Sequence, residues 1–426
     1  MRRFWLPLLL AAVALRLAAL ALPYTPVSDA RWYHDAAVSL ARGGGLAVDG
    51  EPTAYRLPGY PFLLSLAYRA FGARVGLAWI WGTLATALLA ASTFAIGKRL
   101  YGDRVARVAA AGIAIYPALV LQTGQAMSDL CFAAGSMWLI AIALRPSPRG
   151  WHAALAGIGI GLLTLTRGAG IVLLAIVPAV WASTGAGSTT GVGAAFRRPT
   201  GRLKPASTGY EAGSGPRIVS LARATLILLA AFALAVFPWL WRNDRLFGQP
   251  VLTTGTGLNA YIGHHPGASG GYDPAELPLP AEALAWNEAE VDRALLGYAL
   301  DFARTHPLDE LVLASRKIAH LYALETSAVT ALFQGDRPAS PALKYALHAV
   351  SQLAYVAVLA AFLLRAFELL TRRTRLSGTQ WAGWIVILGF TAVAVLFFGQ
   401  DRFRLPILPW MMIEGAAWLG SRRPDA

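Results

Sequence analysis

A series of long apolar segments constrains the fold of this chain more than any other feature. A membrane-spanning helix needs about 20 mainly apolar residues. Segments that approach this length lie near residues 4–23, 75–97, 106–122, 127–144, 152–166, 169–183, 222–241, 342–366, 380–399 and 405–420. The pattern predicts an all-α polytopic membrane protein with about ten transmembrane helices.

The composition agrees with this class. Of the 426 residues, 56% are hydrophobic and 14% are charged, whereas soluble domains carry about 25% charged residues. The single cysteine, Cys131, lies in an apolar stretch, which excludes an intrachain disulfide and argues against a cysteine metal site. The first apolar segment follows Arg2 and Arg3 as in a signal peptide, but no small-residue cleavage site follows it, so we expect an uncleaved first helix.

The distribution of basic residues predicts the orientation. With a cytoplasmic N-terminus, the cytoplasmic segments contain 20 of the 37 lysines and arginines. The other 17 basic residues face 19 acidic ones, so the net charge of +14 is a topology signal and gives no support to nucleic-acid binding. We expect both termini in the cytoplasm and the bilayer as a partner.

This orientation divides the chain into three parts. Residues 1–241 form a transmembrane module with a first outer loop at 24–74 and a Gly- and Ser-rich cytoplasmic loop at 184–221. Residues 242–340 form an outer segment, and residues 341–426 contain the last transmembrane helices.

Two stretches of the outer segment are expected to be amphipathic. One helical face is shared by Leu284, Val291, Leu295, Tyr298 and Phe302. We expect the stretch 308–333 to lie on the outer membrane surface, because as a span it would invert every helix after it.

Polar motifs gather at the outer ends of the predicted helices. They are "SDARWYHDAAVSLARGGG" from Ser28, "AYRLPGYP" from Ala54, "TGQAMSDL" from Thr123, "LTLTRG" from Leu163, "PWLWRN" from Pro238 and "GQDRFRLPILP" from Gly399. A bundle that joins these ends would form a cavity at the outer membrane boundary, where a lipid-linked substrate presents its headgroup.

These motifs resemble those of the GT-C superfamily of membrane glycosyltransferases. The likeness is to bacterial family-39-type enzymes, which are related to protein O-mannosyltransferases and aminoarabinose transferases. It also includes "GIGIGLLTLTRG" at 157–168, "GLNAYIG" at 257–263 and "DRFRLPILP" at 401–409, in the expected order. The resemblance implies transfer of a sugar from a polyprenyl-phosphate carrier to a hydroxyl group of a lipid, protein or polysaccharide, with inversion, at the outer face of the inner membrane.

The resemblance also implies roles for two acidic residues and a tyrosine. Asp29 matches the first-outer-loop aspartate of the family, and we expect it to be the catalytic base. Asp129 occupies the position of a second acid, usually glutamate, and could act on the acceptor or hold a metal. Capping of a helix N-terminus, with Ser28 or Ser128, is the alternative for each. Tyr33 belongs to the first motif and is expected to contact substrate.

Four arginines are the expected substrate ligands. A guanidinium group binds phosphate through paired hydrogen bonds and a permanent charge. Arg404 matches the family arginine before the last helix and is the favoured phosphate ligand, with Arg402 beside it; placement at the membrane interface is the alternative for both. Arg56 and Arg167 are expected to bind phosphate or sugar.

The sequence leaves a divalent metal possible without assigning one. His264 and His265 are adjacent, so their side chains diverge, and no carboxylate lies at a ligand spacing. We therefore expect a loop there and assign no cofactor.

Arg16 and Glu414 both lie inside predicted spans. An unpaired charge there costs about 2.5–3.5 kcal/mol or more. We therefore predict that they pair and join the first helix to the last.

Other functions compete with that of a glycosyltransferase. A transporter or lipid flippase would carry ionisable groups at mid-membrane and repeated halves. In this sequence the polar residues lie mostly at span ends on one side, and no internal repeat is found. A non-catalytic glycolipid-binding scaffold would be favoured by loss of the first-loop aspartate, but Asp29 is present. A polymerase or ligase that uses lipid-linked oligosaccharide stays open, because "GHHPGASG" could supply its outer-loop residues.

Overall fold

The computed structural model describes residues 2–22, 24–144, 150–186, 215–273, 276–334, 340–372 and 376–421. Helices account for 78% of the described residues, and a small antiparallel sheet pairs β1 (Ala47–Val48) with β2 (Glu51–Pro52). The helices are α1 Arg2–Leu20, α2 Ser28–Ala41, α3 Gly59–Phe71, α4 Ala78–Tyr101, α5 Asp103–Ile115, α6 Pro117–Gln122, α7 Asp129–Ala143, α8 Gly150–Thr166, α9 Leu173–Ala186, α10 Gly215–Phe247, α11 Thr256–Gly263, α12 Glu288–Thr305, α13 Pro307–Leu321, α14 Ser327–Thr330, α15 Pro341–Thr371, α16 Gly378–Leu396 and α17 Leu408–Ser421.

Many of these helices suit a membrane. Five described segments are long and apolar enough to cross it, namely Val75–Tyr101, Gly168–Gly185, Ser220–Phe247, Pro341–Thr371 and Gly378–Leu396. Three shorter apolar helices are Trp5–Leu20, Asp129–Ala143 and Gly150–Thr166. The all-α polytopic class is confirmed, whereas the number of about ten spans stays a prediction.

The predicted span 106–122 is two helices. Pro117 lacks an amide proton and disfavours helical geometry at the residue before it, and Tyr116 is extended with φ −61° and ψ 122°. Because α5 ends here, its last carbonyls have no partner within the helix. The side chain of Arg16 donates to one of them, the Ala114 carbonyl, at 2.9 Å.

The predicted pair between Arg16 and Glu414 is therefore wrong. Besides Ala114, Arg16 donates to the carbonyl of Ala12 in its own helix. Glu414 accepts a hydrogen bond from the Tyr101 hydroxyl at 2.8 Å and lies 3.4 Å from Nε of Arg365. Arg16 and Glu414 thus have partners other than each other, which sequence hydropathy does not reveal.

Close packing places the ends of two helices that carry site residues. Gly157 of α8 lies against the backbone of Leu228 in α10, so that any side chain at Gly157 would collide with the Leu228 carbonyl. In α17, every residue from Leu408 to Ala417 is buried, which places the turn before α17 firmly in the bundle.

The predicted outer segment, residues 242–340, is built on α12 and α13. A capping box between Asn287 and Glu290 begins α12, and Leu295 and Phe302 are buried as expected. Leu284, by contrast, lies before the helix and is 96% exposed, and Tyr298 is exposed as well.

The stretch 308–333 is interrupted, because α13 ends at Leu321 and the short α14 follows. Most of the predicted cytoplasmic loop 184–221 lies outside the described residues, as does the greater part of the basic run at 372–375.

Candidate functional site

Asp29 lies in the first turn of α2, and two arginines hold its carboxylate. Arg56 donates from Nη2 to Oδ1, and Nη2 of Arg402 lies 3.1 Å from Oδ2. The N-cap of α2 is Val27, without a side-chain hydrogen bond, and Ser28 has a left-handed φ of 48°. Capping by Ser28 or Asp29 is thus excluded, and the carboxylate is available to the arginines.

The surrounding charges keep Asp29 ionised. Burial acts to raise the pKa of Asp29, but Arg56 and Arg402 outweigh burial and hold the pKa below its ordinary value of 3.8. Burial acts to lower the pKa of Arg402, and Asp129 and Asp29 together raise it. The acid and its arginines are therefore all charged at neutral pH.

The loop before α3 positions Arg56. Thr53 donates from its hydroxyl to Glu288 of α12 at 2.9 Å, and the backbone N–H of Ala54 donates to the same carboxylate. The guanidinium of Arg56 lies 5.0 Å from the ring centroid of Tyr55, a cation–π geometry. Tyr55 belongs to the motif "AYRLPGYP" that also contains Arg56, but nothing local in the sequence indicates that Glu288, far along the chain, holds this loop.

A second acid and arginine lie beside the first. Asp129 is the first residue of α7, and its carboxylate lies 2.7 Å from Nη1 of Arg167, directly after α8. Ser128 does not cap α7 with its side chain; its hydroxyl is 3.1 Å from the hydroxyl of Tyr33. Tyr33 is buried one turn beyond Asp29 and therefore ties α2 to α7.

A 3₁₀ turn at Asp401–Arg404 separates the two arginines of the last motif. Arg402 reaches Asp29, and the ring of Phe403 lies beneath the guanidinium groups of Arg167 and Arg402, at 4.9 and 5.4 Å. The expectation that Arg404 is the main phosphate ligand does not agree with its surroundings. Arg404 is 1% exposed and lies 3.0 Å from the carboxylate of Glu325.

The structure thus brings together all of the predicted site residues except Arg404. They are Asp29, Tyr33, Arg56, Asp129, Arg167 and Arg402. Three guanidinium groups against two carboxylates leave one excess positive charge, which suits an anion such as a phosphate.

The same residues do not fit a divalent metal. Each carboxylate already contacts an arginine, and the described residues contain no group of three or more His, Cys, Asp or Glu side chains that could hold an ion. His264 lies 2.8 Å from Glu310 and 3.0 Å from the ammonium of the buried Lys317. A cation beside the ring opposes a second one, so these contacts do not favour a metal ion at His264.

Comparison with known proteins places the fold. No protein-family model matches the sequence, and no curated protein sequence matches it. The apo crystal structure of the oligosaccharyltransferase of Archaeoglobus fulgidus aligns with 97% of this chain at a TM-score of 0.50 and 15% identity, and the chain spans 50% of that protein.

ArnT from Cupriavidus metallidurans aligns less well. Its apo structure aligns with 99% of this chain at a TM-score of 0.41, and its complex with undecaprenyl phosphate aligns with 98% at a TM-score of 0.40. The identity is 13% in both alignments, and this chain covers 78% of either structure. At 15% identity the likeness to the Archaeoglobus fulgidus oligosaccharyltransferase shows the fold alone, and this chain shares the all-α polytopic fold of that protein.

Proposed function

We propose that this protein is an inverting glycosyltransferase that moves a sugar from a polyprenyl-phosphate carrier to a hydroxyl acceptor at the outer face of the cytoplasmic (inner) membrane. The observation that carries the proposal is the carboxylate of Asp29 held between Arg56 and Arg402. Glycosyl transfer needs a base for the acceptor and cations for the departing phosphate, and this site contains both. The acceptor is a lipid, a protein or a polysaccharide.

The residues have distinct tasks in this reaction. The acceptor oxygen attacks the anomeric carbon from the side opposite the phosphate, and the bond between that carbon and the phosphate oxygen breaks. The electron pair goes to the phosphate, and the acceptor proton goes to Asp29. Arg56 and Arg402 bind the phosphate as its negative charge increases, while Asp129 orients Arg167 towards the same group.

Donor binding also prepares the base. In the unliganded site, the arginines hold the pKa of Asp29 low, against the opposing effect of burial. A donor phosphodiester carries one negative charge, which balances the excess positive charge of the site. Because the arginines then share their charge with the phosphate, the pKa of Asp29 rises, and the carboxylate becomes a better base when the substrate is in place.

The first test compares Asp29→Asn with wild type in nanodiscs, with a panel of labelled polyprenyl-phosphate sugars and membrane extract as acceptor. We expect transfer by wild type and a loss of about 10²- to 10⁴-fold in the variant, because asparagine cannot take the proton. Asp35→Asn is the matched control, since Asp35 lies on the same helix and pairs with the exposed Arg31.

Two other outcomes of this assay would contradict part or all of the proposal. Equal transfer by wild type and Asp29→Asn would remove Asp29 from the mechanism and favour Asp129. Binding of labelled lipid without turnover of any donor would contradict the proposal and favour a lipid-linked sugar flippase or transporter, or a glycolipid-binding scaffold.

A further inference from the structure

The 3₁₀ turn that carries Arg402 is bound to the outer segment at the joint between α13 and α14. The carboxylate of Asp401 accepts the backbone N–H groups of Thr326 and Ser327 at 2.5 and 2.8 Å. It therefore satisfies amide donors at the start of α14, which have no partner within that helix. Asp401 is itself 4% exposed.

Arg404 binds the other side of the same joint. Its Nη1 donates to the carbonyls of Leu321 and Ala323 at 2.9 and 2.6 Å, where α13 ends. Its Nη2 donates to Glu325 at 3.0 Å, and its guanidinium stacks 3.7 Å from the ring centroid of Tyr355. Both Nη groups of Arg404 are thus bound by the protein, while its Nε is buried without a hydrogen-bond partner. At 1% exposure the side chain is closed off from a ligand in the outer site.

Glu325 completes the arrangement. Besides Arg404, its carboxylate accepts a hydrogen bond from the hydroxyl of Tyr116 at 3.1 Å, and its backbone N–H donates to Gln352. The pair is buried on both sides, at 2% and 4% side-chain exposure. Removing one partner of such a pair leaves an uncompensated buried charge, so its geometry is strongly enforced.

The outer segment also holds the chain on the α16 side of Arg402. Lys317 and His264 lie 3.1 and 3.0 Å from the last carbonyls of α16, those of Val395 and Leu396. Three residues further on, the N–H of Gly399 donates to a carbonyl of the outer segment. The segment from α16 to α17 is thus fixed on both sides of Arg402.

We propose that Arg404, together with Glu325 and Asp401, positions Arg402 against Asp29 and the donor phosphate, and does not bind the phosphate itself. The proposal rests on the proposed function in one respect, the phosphate as the ligand of Arg402. It makes the joint between α13 and α14 a positioning element of the active site, through which the outer segment controls phosphate binding.

A double-mutant cycle tests this role. The dissociation constant of undecaprenyl phosphate is measured in nanodiscs for wild type, Arg402→Gln, Arg404→Gln and the double variant. We expect binding to weaken about 10- to 100-fold with Arg402→Gln and about 5- to 50-fold with Arg404→Gln. The dissociation constant of the double variant should match that of Arg402→Gln within about threefold. If Arg404 acts only by positioning Arg402, its substitution has no further effect once Arg402 is replaced.

Two results would overturn the proposal. If the losses in affinity of the two single variants multiply in the double variant, Arg404 contacts the phosphate directly. If folded Arg404→Gln binds undecaprenyl phosphate as tightly as wild type, Arg404 does not position Arg402. Glu325→Gln keeps the hydrogen-bonding shape without the charge, and covers the case in which Arg404→Gln does not fold. It should weaken binding in the same direction, and unchanged binding would count against the proposal.

Hydrogen exchange separates this proposal from the proposed function. The backbone of residues 397–404 should exchange faster in Glu325→Gln and Arg404→Gln than in wild type, whether or not a lipid is present. If wild type fails to bind undecaprenyl phosphate but exchange accelerates, the glycosyltransferase assignment fails while the positioning role stands. Unchanged exchange in both folded variants would refute the positioning role.

Discussion

At the scale of single residues, Asp29 illustrates how partners distant in sequence define a role. An aspartate at the start of a helix is compatible with a simple cap. In the structure its carboxylate instead contacts Arg56 and Arg402, which come from the first outer loop and the end of the chain. The resemblance identified Asp29, but the arginines beside it explain what it can do.

The pH dependence of transfer follows from this pairing. Burial acts to raise the pKa of Asp29, while Arg56 and Arg402 more than offset this and lower it in the free protein. The ionised form that accepts a proton is therefore present above that low pKa and is lost only as pH falls through it. We expect kcat/KM, which reports the free enzyme, to keep its carboxylate-dependent level well into the acid range.

The acid limb of the pH profile of kcat should lie at higher pH than the acid limb of kcat/KM. In the complex with donor, the phosphate competes for both arginines, so the pKa of Asp29 rises. Rate profiles measured in parallel for Arg402→Gln are the control, because loss of this cation should move the acid limb of kcat/KM upwards. If the acid limb of kcat/KM lies at the same pH in wild type and Arg402→Gln, Asp29 is not the titrating group.

At the scale of elements, the outer segment depends on a close contact between α11 and α12. Gly257 lies in the first turn of α11, and its N–H donates to the carboxylate of Asp292 at 2.5 Å. A side chain at Gly257 would collide with the backbone carbonyl of Asp292. The same helix α12 binds the loop of Arg56 through Glu288, so this contact supports the site.

Substitution of two glycines tests the contact. We expect Gly257→Ala to destabilise the outer segment by about 1–3 kcal/mol, since the helices must separate to admit a methyl group. Gly297, within α12, has open space around it, so Gly297→Ala should be neutral or stabilising by up to about 1 kcal/mol. Thermal unfolding in detergent measures both, and equal midpoints would argue against close packing at Gly257.

At the scale of the whole molecule, the orientation in the membrane is a prediction from charge alone. It places residues 24–74 and 242–340 outside and both termini inside. The site residues lie at helix ends that this orientation assigns to the outer face, so the orientation and the proposed function support each other.

Cysteine labelling tests the orientation directly. Cys131 is half-buried in α7, and we expect a low background from it. In intact cells or spheroplasts, a membrane-impermeant maleimide should label Glu282→Cys in the outer segment and should label Asp103→Cys only after lysis. The reverse pattern would invert the topology and move the site to the cytoplasmic face.

The sequence by itself determined the class, most helix positions and the identity of the clustered residues. Apolar length is a local property, and predicted spans such as 75–97, 222–241 and 342–366 lie within long helices, whereas Pro117 divides the predicted span 106–122. The motifs around Asp29, Asp129 and Arg167 likewise name residues that the structure brings to one place.

Only the tertiary structure decided which charge meets which. Hydropathy could not reveal that Arg16 binds the end of α5, or that Glu288 and Glu325 support the site. In a 3₁₀ turn, residues three apart lie on the same side, so Asp401 and Arg404 both face the joint between α13 and α14, while the intervening Arg402 reaches Asp29. Pairing of this kind depends on how distant helices pack, because the contact energies arise between elements and leave no trace in local periodicity.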